Sequence, residues 1–175
     1  MTSKALITAM ASLVLLGCSA YVQPGEQAPK EPGSRPVITD YYAPQVIRPG
    51  ETWKIFLEVQ DRGGDLKQIV ANLWQAGVGY YSVNLTPIQE GDRSGFVGYL
   101  LLRTPAEYDL LNDRLRLQIV IRDRRGNKSE AVNLPLSFGL NPSFEEVPNK
   151  WQTAHQLGAI FVDIQSSERI STPGK

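Results

Sequence analysis

The chain has 175 residues, 42% hydrophobic and 21% charged, with 18 basic residues balancing 18 acidic ones. That length suits one ordinary domain with appendages, and the charge balance argues against a nucleic-acid partner, which selects a basic excess or stripe. Fifteen glycines and twelve prolines point to the many turns of an all-β domain, and a single cysteine excludes an internal disulfide.

Residues 1–17 read as a signal peptide, with Lys4 in a short basic region ahead of the apolar run 5–16. The run falls short of the ~20 residues that a permanent spanning helix needs. The "LLGC" that follows resembles the bacterial lipobox, in which a small residue precedes a cysteine. The resemblance implies that Leu15, Leu16 and Gly17 form a recognition segment and that a peptidase cuts before Cys18. Cys18 would then carry a diacylglyceryl group and an acyl chain such as palmitate on its new amine. Each buried methylene contributes ~0.8 kcal/mol, and two anchoring signals already hold a protein stably at a bilayer. Ser19 resembles the sorting pattern for the outer membrane. The expected location is therefore extracytoplasmic, at a bacterial outer membrane, with the lipid on Cys18 as the link.

After the cysteine, residues 18–36 carry prolines at 24, 29, 32 and 36 and little that packs. Such a segment buries too little apolar surface to offset its ordering entropy. The expectation is a disordered tether reaching ~55 Å at ~3.1 Å per residue of polyproline geometry.

From residue 37 the pattern changes to short alternating runs. "WKIFLEVQ" sets Trp53, Ile55, Leu57 and Val59 on one face; "RLRLQIVIRD" does the same with Leu115, Leu117, Ile119 and Ile121. Period-2 alternation marks half-buried strands. Further candidates are 37–42, 66–74, 80–85, 96–103 and 131–138, punctuated by turns such as "DRGGD" and "DRRGN". Pro135 marks the last run as an edge position, because proline cannot donate to a ladder.

About seven short strands predict a two-sheet sandwich. "VIRPGETWKIFLEVQD" followed by "LRLQIVIRDRRGNKSE" resembles bacterial immunoglobulin-like and fibronectin-III-like modules over residues 37–139. The resemblance implies an immunoglobulin-like β-sandwich without the disulfide of antibody domains.

The remaining segment, 140–175, repeats Trp151, Ala154, Leu157, Phe161 and Ile164 at three- and four-residue steps. That spacing predicts an amphipathic helix, capped by Asn149. "AIFVDI" also alternates as a strand, but the helix is preferred. It would pack on the sandwich, or turn Trp151 and Phe161 outward to a partner.

For catalysis the chain offers His155 as its single histidine, with no nucleophile motif beside it. The carboxylate pairs Asp109/Asp113 and Glu145/Glu146 lie in loop-like sequence. A sandwich would gather Asp61, Asp65, Asp123 and Asn127 at one loop end, a candidate calcium site made of oxygen ligands. Aspartate and asparagine also favour turns through bonds to their own backbone, and Arg62, Arg124 and Arg125 lie among them. The turn reading is preferred, with those arginines as candidate protein contacts. No cofactor is expected. The expected function is a non-catalytic, lipid-anchored module that presents its sandwich to an envelope protein; a calcium-dependent carbohydrate-binding domain or a hydrolase with a loop-end cleft is the alternative.

Overall fold

Alternation decides two of the long antiparallel strands of the domain. In β3 (Thr52–Gln60), Trp53, Ile55, Leu57 and Val59 are buried; in β8 (Arg114–Asp123), Leu115, Leu117, Ile119 and Ile121 are buried. A computed structural model describes residues 33–142 and 146–167; the expected signal peptide, Cys18 and nearly all of the tether lie outside them. Among the described residues there are ten strands and no helix long and apolar enough to cross a membrane.

The remaining strands are β1 (Val37–Tyr42), β2 (Val46–Ile47), β4 (Leu66–Gln75), β5 (Gly79–Tyr80), β6 (Asn84–Pro87), β7 (Gly95–Arg103), β9 (Val132–Phe138) and β10 (His155–Ile160). One layer runs β1-β3-β7-β10. The other runs β2-β9-β8-β4-β5, with β6 also paired to β4. Every pair is antiparallel except β2 with β9 and β10 with β7. This is the strand order of an immunoglobulin-like sandwich, A-B-E against A′-G-F-C-C′. The first strand crosses between layers at Ala43–Gln45, where Trp53 Nε1 donates to the Pro44 carbonyl at 2.7 Å.

The inward rows of both layers meet in one core: Ile55, Leu57, Leu100 and Leu102 from the first, Ile69, Leu73, Leu117 and Ile119 from the second. Pro135 sits where the sequence requires it. Ser137 N–H points away from β8 to the Gln45 carbonyl, so two residues earlier the proline nitrogen also faces outward, on an edge that only β2 covers.

The C-terminal segment is where expectation and structure part. No α-helix forms over residues 149–164, where the spacing predicts one. A 3₁₀ turn (Asn149–Thr153) leads into β10, which lies parallel beside β7 and makes the tail part of the first layer rather than an extension outside the 37–139 unit. Gly158 and the β-branched Ile160, Val162 and Ile164 weaken a helix, and the open edge of β7 offers backbone partners instead. The three- and four-residue spacing arises because the segment bends around the sandwich. Trp151 is buried on the outer side of the first layer, while Ile160 and Ile164 turn into the core. Beyond β10 the chain crosses the end of the sandwich: Gln75 Nε2 donates to the Gln165 carbonyl at 2.8 Å, and Ser167 N–H reaches the Asp113 carboxylate at 3.3 Å.

Candidate interaction surface

The loop end comes together as the strand order demands. Leu66 pairs with Asp123 in register, so the β3–β4 and β8–β9 turns are neighbours. Their carboxylates are engaged in turn chemistry. Asp61 accepts from the N–H groups of Gly63 (3.2 Å) and Asp65 (3.0 Å), and Asp123 accepts from the Asn127 N–H (2.8 Å) and Nδ2 (2.7 Å). Asp65 holds Arg125 Nε at 3.4 Å, and its carbonyl accepts the Arg124 N–H at 2.9 Å. Partial burial, reinforced by the charges of Asp123 and Asp61, pushes the Asp65 carboxyl above the usual carboxylate range, against the pull of Arg125. Among the described residues no group of three or more His, Cys, Asp or Glu side chains is arranged to hold a metal ion. The three arginines proposed as protein contacts, Arg62, Arg124 and Arg125, are all exposed, and Arg125 also pairs with Asp65.

The other expected contacts separate. Trp151, read as a possible docking residue, is 3% exposed and is corrected to a packing residue: its ring lies 5.5 Å from that of Phe56. Phe56 points out of the first layer and is nonetheless buried, because Trp151 covers it, with Tyr42 and Tyr99 beside it. Lys150, at the edge of this lid, pairs with Asp40 and with Glu58 (3.1 Å). The bond from Lys150 holds the Asp40 carboxyl below its ordinary range, and Asp40 raises the lysine in turn. Phe161 is 80% exposed, as a docking residue would be. His155 is exposed and lies 3.0 Å from Asp92.

The outward face of the second layer was not anticipated. Val70 pairs in register with both Val120 and Leu85, so the three stand side by side across β8, β4 and β6. Val83 and Leu85 are each 55% exposed, and with Gln68, Asn72, Gln118, Arg122 and Lys128 these residues line a shallow trough of ≈ 360 Å³. The Asn72 Oδ1 atom is buried there with no hydrogen-bond partner. Along β8 the outward positions read Arg114, Arg116, Gln118, Val120, Arg122, and Arg116 stacks on Trp74 at 5.2 Å. The signal was present in the sequence: in "RLRLQIVIRD" a valine occupies a position that alternation assigns to solvent, and "QIVANLW" repeats the substitution at Val70.

No family model and no curated protein matches the chain. Among solved structures it is similar to the CARDB domain of a Pyrococcus furiosus protein, determined in complex with di-metal ions. The two share 12% identity with a TM-score of 0.31, covering 60% of this chain and 86% of that one. The immunoglobulin-like assignment rests on the strand order given above.

Proposed function

We propose that the chain is a non-catalytic, lipid-anchored protein of a bacterial envelope, held at the outer membrane through Cys18, whose sandwich binds another envelope protein. The observation that carries the binding role is the outward face of the second layer. Val83 and Leu85 are exposed with Val70 and Val120 half-buried beside them, and contiguous exposed apolar groups mark sites of association. The anchor rests on "LLGC" and the proline-rich segment that separates it from β1. The loop end does not favour the carbohydrate or hydrolase alternative, because its carboxylates already bind their own backbone.

Fractionation of producing cells tests the anchor. The wild type partitions into detergent with the mass of an acylated protein cut before Cys18, and Cys18→Ser stays unacylated and uncut. A wild-type product found in culture fluid with a free thiol would overturn the reading.

A further inference from the structure

Resting on that reading, we propose that the outward face of β6, β4, β8 and β9 docks an extended acidic segment of the partner protein. The chain as a whole has equal numbers of acidic and basic residues, yet this face carries one sign. The side chains these strands turn outward include Arg114, Arg116 and Arg122, and Lys128 joins them through its bridge to Arg122. No carboxylate stands on the face, and among the described residues none of the four cations forms an ion pair. Asp61, Asp65 and Asp123 lie in the loop end, and Asp40 and Glu58 lie around Lys150 on the other layer.

The pattern along the face specifies the occupant. Arg116 and Arg122 are six residues apart on β8, about 20 Å at the rise of an extended strand. Between them lies the aliphatic floor of Val70, Val120 and Leu85. A polypeptide with an apolar side chain flanked by carboxylates meets all of these features together. Guanidinium groups grip carboxylates through paired N–H donors. A phosphate backbone would satisfy the cations and leave the aliphatic floor against charged groups.

The test places a photoreactive amino acid in the full-length chain, one site at a time, at Gln118 on this face, Arg124 at the loop end and Gln156 on β10, in producing cells. The expected result is a crosslink from Gln118 to a protein segment of net negative charge. Its yield falls at least tenfold in Arg116→Glu/Arg122→Glu and survives in Arg116→Lys/Arg122→Lys; thermal melts of both variants establish that they fold. If the reversed pair does not fold, Arg116→Gln/Arg122→Gln replaces it, with the same loss expected. A Gln118 crosslink to lipid, nucleic acid or a non-acidic segment overturns the proposal, as does a yield indifferent to charge reversal. Protein crosslinks from Arg124 or Gln156 alone overturn this face and leave the interaction module standing. No protein crosslink from any of the three sites overturns both.

Discussion

Replacing Gly98 by alanine tests whether β10 is an integral strand. Gly98 faces the core from β7, opposite Leu57 on one side and His155 on the other. A Cβ there would lie 2.6 Å from Leu157 Cγ, 2.7 Å from Leu157 Cδ2 and 2.9 Å from the His155 carbonyl oxygen. Leu157 thus fills the volume that any other residue at 98 would occupy. Gly98 is not among the positive-φ glycines, so the substitution acts through space rather than backbone strain.

The chain has two responses. It can keep β10 in place and absorb the overlap, which costs about 1–3 kcal/mol in a packed core. It can instead release the strand, which exposes Leu157, Ile160 and Ile164 at about 1.5–3 kcal/mol each, roughly 6 kcal/mol together. The smaller cost wins, so β10 stays. Urea unfolding of Gly98→Ala should show a loss of about 2 kcal/mol with an unchanged m-value, since m reports the surface exposed on unfolding. The β10 amides that bond to β7 should keep their hydrogen-exchange protection. Adding Leu157→Ala removes two of the three close contacts, so the two substitutions should couple by about 1 kcal/mol or more in the direction of relief. Full stability in Gly98→Ala, or lost protection in β10, would refute the reasoning.

Trp151→Ala uncovers Phe56 and should cost about 3–5 kcal/mol, the range for truncating a buried large aromatic, read from thermal or urea melts. Asp123→Ala strands the Asn127 N–H and Nδ2 and should cost about 2 kcal/mol by the same measurement. The Asp65 carboxyl titrates above its unfolded value of 3.8, so the native state takes up this proton first and the charged form weakens the fold above that window. Asp65→Asn should therefore raise stability at pH 7 by up to about 1 kcal/mol, with a hydrogen bond to Asp61 replacing repulsion, and flatten the pH dependence just above 3.8. Asp40 has the opposite sign: its stabilisation is present above pH 3.8 and is lost as pH falls through its lowered native value. A carbon-13 titration of Asp40 should show that shift disappear in Lys150→Gln.

The sandwich was legible because its long strands carry their own layer assignment. Alternation in β3 and β8 names the buried rows, and the turns between strands coincide with glycine-rich or Asp/Asn-rich sequence. The shared loop end followed from strand order alone. The C-terminal segment was not legible, because its partner is non-local. Nothing within residues 149–164 records the open edge of β7 or the vacancy beside Gly98, and a bent segment touching the sandwich every third or fourth residue imitates a helix. The same non-locality hid Phe56: its outward register predicts exposure until Trp151, far along the chain, is placed over it. The outer trough depends on three strands at once, so no single run reveals that Val70, Val120 and Leu85 are adjacent.

How the sheets end bears on how the proposed partner would be recognised. A bare strand edge invites another chain to add a strand, and natural sheets blunt their edges to prevent it. Here β1, β6, β9 and β10 each carry such a device. β9 has Pro135 and is overlaid only by the two residues of β2, and β6 ends in Pro87. β1 has a register irregularity between Ile38 and Asp40. β10 and β6 cover one another: Asn84 Nδ2 donates to the Phe161 carbonyl at 3.1 Å, and Thr86 packs where a side chain on Gly158 would lie. The tail strand thereby closes one side of the sandwich. With backbone addition opposed at these edges and Trp151 covering Phe56 on the first layer, the side-chain face of the second is where the proposed partner would make its contact. That is the face on which the fold sets cations around an aliphatic floor.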